Sequence, residues 1–282
     1  MKILKHYLIL LVVAILASSC GTTRTVPISG RKQNLLVSDE QILSLSAQEY
    51  ATYMKSAKIS NNTTNKALVK NVGQRLATAV ETYLSANGMS SELSQYQWEF
   101  NLIQDNSVNA FCMPGGKIVV YEGILPVTQD ETSLAIVVGH EIAHAVAKHS
   151  AEQMSKQLKQ QYGAQIASAL LSQVGVNSSL TQIGEMVAQM GFQFHNLKYS
   201  RDHEYEADRM GLIIAAMAGY DPQKAIPFWQ RMAAQSGNSN QNDMMSDHPS
   251  DANRIAAMQD YVKEAMTYYK PVTATKKKTT KK

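Results

Sequence analysis

The chain has 282 residues, 44% of them apolar, enough for a sizeable core in one large domain or two modest ones. Its net charge of +4 sits at the ends, because Lys2, Lys5 and five lysines after residue 275 outnumber that surplus and leave the stretch between them mildly acidic. A nucleic-acid binder built on a basic face is thereby excluded. Two cysteines, Cys20 and Cys112, exclude a disulfide-stapled scaffold and a cysteine-rich zinc finger.

Residues 1–19 read as an export signal. Lys2 and Lys5 precede an apolar run over residues 7–17, shorter than the about 20 residues that span a bilayer. The run ends in small residues before Cys20, a pattern that resembles a bacterial lipobox, so Cys20 is the expected lipidation site and membrane anchor. Residues 20–37 are Thr/Gly/Pro-punctuated and read as a lipidated N-terminus and linker. The expected location is outside the cytoplasm, tethered to a membrane through Cys20. Residues 163–192 are the best later candidate for a span, but Gln165, Ser168, Gln173, Asn177 and Glu185 break it up. Cys112 has no partner and is expected to be a small buried apolar residue.

Helical periodicity begins at Ser38 and predicts two amphipathic helices, over residues 38–57 and 65–87. Residues 97–103 alternate apolar and polar side chains, as a half-buried strand does. A turn at Pro114, Gly115 and Gly116 leads into Lys117, Ile118, Val119, Val120 and Tyr121, a β-branched run that predicts a second strand. At a sheet edge that strand would pair with an extended polypeptide by β-augmentation. Helical patterns dominate residues 128–270, and residues 271–282 are a Lys/Thr-rich tail expected to be disordered. Residues 38–270 are thus expected to form one α+β domain, mostly helical with a small β-sheet next to the helix that follows Thr128.

Thr128 and Glu131 have capping-box spacing and open a helix whose residues 134–138 are apolar, so the helix must be buried. Into that interior falls His140-Glu141-Ile142-Ala143-His144. The two histidines are about 40° apart around the helix, so both imidazoles can reach one metal ion. Glu141 lies beside them, placed to contact a metal-bound water without ligating the metal. Unpaired burial of these groups costs several kcal/mol, which metal ligation offsets.

A third ligand is required. A metzincin would place glycine at 147 and histidine at 150, where this chain has Ala147 and Ser150. His149 points about 180° away from His140 on an unbroken helix and reads as a packing or outer-shell histidine. Among Glu152, Glu185, Glu204, Glu206 and Glu264, Glu204 stands out because Asp208 follows at i+4. One helical face can then supply a ligating carboxylate and a second carboxylate that orients a ligand histidine. Glu206, about 200° round from Glu204, is expected outside the site.

His140-Glu141-x-x-His144 followed by Ser200-Arg201-x-x-Glu204-x-x-Ala207-Asp208 resembles metallopeptidase family 48, a gluzincin family of membrane stress, CAAX-type and secreted periplasmic proteases. Residues 109–116, before the motif helix, and Gly219-Tyr220-Asp221-Pro222, after the ligand helix, resemble the same family. The resemblance implies a zincin-type (minigluzincin) metalloprotease domain with one zinc ion held by His140, His144 and Glu204, and Glu141 as general base and acid. It also implies that His248, in a His-Pro element, lies near the metal and restrains activity, and that the protein sits on the periplasmic side of a cell envelope, lipid-anchored to the outer membrane through Cys20. Transition-state contacts are left open among His203, Arg201 and Tyr205. The expected function is zinc-dependent hydrolysis of unfolded or misassembled envelope proteins, with outer-membrane assembly machinery as a partner and no nucleic acid. The alternative is a lipoprotein chaperone or assembly factor with little proteolysis.

Overall fold

The computed structural model describes residues 22–171, 185–187, 191–235, 248 and 252–271. The export signal, Cys20, the polar segment 236–247 and the tail beyond residue 271 lie outside the described residues.

The chain opens with a hairpin of two antiparallel strands, β1 (Thr22–Thr25) and β2 (Lys32–Leu35), so residues 22–37 are not a linker. Four apolar side chains hidden among polar ones decide this. Val26 is fully buried, as nearly are Leu35, Leu36 and Val37, and the Leu36 N–H donates to Ser155 Oγ at 2.9 Å. Helix α1 (Asp39–Ser56) starts at a capping box in which Ser38 and Gln41 bond each other's backbone N–H groups. Helix α2 (Thr63–Ala86) is capped by Asn62, which accepts from the Asn65 N–H at 3.0 Å.

A three-stranded sheet follows, built from β3 (Glu99–Ile103), β4 (Ala110–Met113) and β5 (Lys117–Tyr121) in the order β3-β5-β4. Strand β5 runs parallel to β3, with Asn101 opposite Val119, and antiparallel to β4, with Cys112 opposite Ile118. Both edges of Lys117–Tyr121 are therefore occupied, and the expected pairing of Lys117, Ile118, Val119, Val120 and Tyr121 with substrate is corrected. The strand that displaces it, Ala110–Met113, is four buried residues long and shows no alternation to read. The glycine turn joins β4 to β5, with Gly115 and Gly116 at φ +89° and +81°, a backbone that favours glycine.

Short helix α3 (Leu125–Thr128) ends at Gln129, whose φ is +64°. Helix α4 (Glu131–Val146) then takes Asp130 as its cap, accepting from the Ser133 N–H at 2.7 Å, so the expected Thr128–Glu131 capping box is not formed. Thr128 instead bonds the Leu125 carbonyl, and Glu131 pairs with Arg75 and Tyr220. Helix α5 (His149–Leu171) follows immediately, because Lys148 at φ +55° breaks the path after α4 without a glycine. Helices α6 (Arg201–Met217), α7 (Ala225–Gln235) and α8 (Ala252–Met266) complete the described elements. Pro227 lies in the first turn of α7, where its missing N–H has no intrahelical partner to lose.

The result is the expected α+β, mostly helical architecture. One core joins α2, α4, α6, α7 and one sheet face through residues such as Leu76, Ile118, Leu134, Ile213 and Phe228. A second lies on the other sheet face, where Tyr50, Phe111, Val119, Met154 and Leu158 pack together. Helix α4 is sandwiched between α2, α6 and β4, which buries residues 133–144, His140, Glu141 and His144 among them. Among the described residues, no helix is long and apolar enough to cross a membrane.

Candidate metal centre

Helix α4 projects His140 and His144 from one face toward α6, which projects Glu204 back. The Nε2 atoms of His140 and His144 are 3.1 Å apart. Glu204 places Oε2 3.5 Å from His140 Nε2 and Oε1 3.5 Å from His144 Nε2. His248 joins them, with Nδ1 3.0 Å from Glu204 Oε1 and 3.3 Å from His140 Nε2. One donor atom from each of these four buried residues lies within 4.8 Å of all the others.

The donors fit a cation. His140 Nδ1 faces Asp208 Oδ1 at 3.0 Å, so a proton is held on that nitrogen and Nε2 is the one turned to the common point, free to give its lone pair to a cation. His144 turns its own Nε2 to the same point. Two lone pairs and a carboxylate gathered in a dry interior repel one another unless positive charge sits between them. Two imidazoles and one carboxylate are the donor set of catalytic zinc sites.

Without a cation, protons take up part of that role. Burial disfavours charge on His140, but its hydrogen bonds to Asp208 and Glu204 outweigh burial and lift it to about 9. His144, buried among other histidines, is pushed well below its ordinary value. Glu204 is held well below the carboxylate range: burial opposes this, and the charge of His248 and the bond from His140 overcome it. Glu141, 2% exposed, is raised by burial, while His248 and His140 pull the other way. Its carboxylate accepts the Cys112 N–H from β4 and lies 3.5 Å from His248 Nε2.

Several groups support the cluster. Arg254, 2% exposed, donates through Nε and Nη2 to both oxygens of Asp208 at 2.8 Å, and its Nη1 lies 3.0 Å from Glu204 Oε2. One guanidinium thus ties the carboxylate that orients His140 to the carboxylate that faces both histidines. Trp229 meets the His140 ring edge-on at 5.8 Å, and Tyr199 stacks on His144 at 4.0 Å.

Not every residue singled out in the sequence arrives here. Arg201 is exposed and Tyr205 half-buried, and neither is among the converging donors. His203 stacks on His149 at 4.3 Å, one residue removed from the cluster. His149 is not turned away from the site, because the break at Lys148 restarts the helix and swings its Nδ1 to 2.9 Å from His144 Nδ1. Glu206 stands outside the four donors but bonds His149 Nε2 at 2.9 Å. Arg254, Trp229 and Tyr199 were not anticipated. Arg254 did leave a signal, since it falls on the same face of α8 as the buried Met258 and Ala265.

The sequence model of peptidase family M48 matches residues 69–262. The chain is 37% identical over 176 residues to the mitochondrial metalloendopeptidase OMA1 of Schizosaccharomyces pombe, covering 62% of this chain and 50% of that protein. It is 30% identical over 244 residues to the mitochondrial metalloendopeptidase OMA1 of Homo sapiens, covering 85% and 46%. The beta-barrel assembly-enhancing protease of Yersinia pestis matches at 29% over 163 residues, covering 56% and 33%. The chain thus spans about half the length of the OMA1 relatives it matches, or less. The expected periplasmic, outer-membrane-anchored location is corrected, because similarity is higher and longer to relatives named mitochondrial than to the assembly-enhancing protease. A match over residues 69–262, with the His140–His144 pair and Glu204 brought together inside it, means that this chain belongs to peptidase family M48.

Proposed function

We propose that the protein is a zinc-dependent endopeptidase in which His140, His144 and Glu204 hold the metal and Glu141 is the general base. The observation that carries this reading is the convergence of His140, His144 and Glu204, joined by His248, on one buried point, with a second carboxylate, Glu141, beside the group and not part of it. Bound there, zinc supplies a Lewis acid for a peptide carbonyl and for water. Glu141 accepts the water's proton and returns it to the departing amine; burial raises its basicity, and the Cys112 N–H fixes its carboxylate. Asp208 keeps the His140 proton on Nδ1, and Arg254 holds Asp208 and Glu204 in register. His248 is read as a regulatory contact, because it competes with the other donors for their common point.

The catalytic unit is one domain that takes in the hairpin at Thr22–Leu35 as well as residues 38–270. Its substrates are polypeptides, as the printed name of the metalloendopeptidase relative supports, and we take them to be unfolded or misassembled ones, with the assembly-enhancing name of another relative as the support. Incubating zinc-loaded protein with unfolded casein tests it. Cleavage that a chelator abolishes is expected. Intact casein kept from aggregating by the protein would favour the chaperone reading instead.

A further inference from the structure

His140 has its non-ligating nitrogen fixed by a carboxylate, and His144 has no carboxylate at the equivalent place. What it has is another histidine. His144 Nδ1 faces His149 Nδ1 at 2.9 Å, and His149 Nε2 faces Glu206 Oε2 at 2.9 Å. A carboxylate accepts only, so His149 carries its proton on Nε2. In the neutral ring that leaves Nδ1 as the acceptor, and it points at His144 Nδ1. The proton between the two rings then belongs to His144 Nδ1, which leaves His144 Nε2 bare toward Glu204 and His140. The ring of His203 stacks on His149 and holds its plane.

The far end of this chain lies in the N-terminal hairpin. Glu206 accepts from Ser29 Oγ and, at 2.8 Å, from Arg31 Nε. The other face of the Arg31 guanidinium grips both oxygens of Glu152 at 2.8 and 2.7 Å, and Glu152 lies 3.3 Å from His203. Burial alone would raise Glu206, but the bonds from His149 and Ser29 and the charge of Arg31 outweigh it and hold it at about 2, so the relay ends on an anion. Ser29 and Arg31 precede the family match, which begins at residue 69.

We infer that His149 and Glu206 form a relay that sets the proton of His144, and that the hairpin clamps this relay through Ser29 and Arg31. His149, Glu206 and Arg31 are positioning residues: none faces the metal point, and each acts through its neighbour. The inference rests on the reading of His144 as a zinc ligand.

Zinc affinity of the full chain, measured by competition with a chromophoric chelator, tests the relay without relying on turnover. His149→Leu removes the acceptor and should weaken zinc binding by about 10–100-fold, whereas His149→Asn, with an oxygen near the Nδ1 position, should stay within about threefold of the parent. Arg31→Gln should weaken binding by several-fold, and Arg31→Lys should recover part of it. Affinity in His149→Leu within about twofold of the parent, or equal loss in the Leu and Asn variants, would overturn the relay. Unchanged affinity in Arg31→Gln would overturn the clamp. If His149→Leu does not fold by circular dichroism, the ring 15N spectrum of the zinc-loaded parent decides. A proton on His149 Nε2 supports the relay, and one on His149 Nδ1 refutes it. His140→Ala separates the two readings: retained zinc there sinks the metal assignment itself, whereas zinc lost there but kept in His149→Leu sinks only the relay.

Discussion

Gly211 on α6 lies so close to α4 that a Cβ added to it would sit 2.7 Å from the backbone nitrogen of His140, and one added to Gly139 would sit 2.9 Å from the Gly211 carbonyl oxygen. The two helices that carry His140 and Glu204 therefore touch backbone to backbone. That contact sets how far Glu204 stands from His140. Because the clashing atoms are backbone, neither helix can yield by rotating a side chain.

Gly211→Ala should accordingly act against its own propensity. Alanine in mid-helix normally gains about 1 kcal/mol over glycine. Here overpacking should destabilise the fold by about 1–3 kcal/mol and part His140 from Glu204. Thermal unfolding of the metal-free protein and zinc per chain measure the two effects, and a stabilised variant with full zinc would contradict the argument.

Arg254→Ala leaves Asp208 and Glu204 buried without their cation. Removing one partner of a buried charge set costs about 3–5 kcal/mol. Zinc adds positive charge beside Glu204, so the loss should be larger in metal-free than in zinc-loaded protein. Chemical unfolding of both forms measures this; equal losses would show that Arg254 acts only through packing.

Glu141→Gln should keep the fold and bind zinc as the parent does, since the carboxylate is not one of the converging donors. Turnover of unfolded casein should fall by about 10²–10⁴-fold, the usual worth of a positioned base. Full activity with full zinc would remove Glu141 from the reaction.

Zinc and protons compete for His140. Its pKa is raised from 6.5 to about 9 in the metal-free fold, so the stabilisation from its charged form is complete below about 6.5 and is lost as pH rises through about 9. Below that value zinc must displace a proton, so zinc affinity should climb with pH and level off above about 9. A competition titration at fixed ionic strength across this range checks the slope. A flat profile would show that His140 is neutral before metal arrives.

Much of the centre was readable along the chain. His140 and His144 sit one turn apart on a helix that residues 134–138 force into the interior, and Glu204 with Asp208 repeats that one-turn spacing, so local periodicity alone places each pair on a face. Arg254 was missed because its partners are 46 and 50 positions away, and no local pattern couples them. Strand order was missed for a related reason: β4 is too short to show period 2, and a parallel partner leaves no hairpin signature in sequence. The hairpin at Thr22–Leu35 was taken for a linker because its polar composition hid the residues it buries.

The sequence by itself determined most of the helices and singled out the candidate ligands, because these depend on spacings of three or four residues and on which side chains can bear burial, while its ordered motifs carried the family resemblance. Only the tertiary structure decided what surrounds them: that β5 is central, that His149 turns back to His144 past Lys148, and that Arg254 and Arg31 close the charge balance. Those outcomes depend on backbone breaks and on pairings between distant segments, whose energies are set by where whole elements pack rather than by any residue's neighbours along the chain.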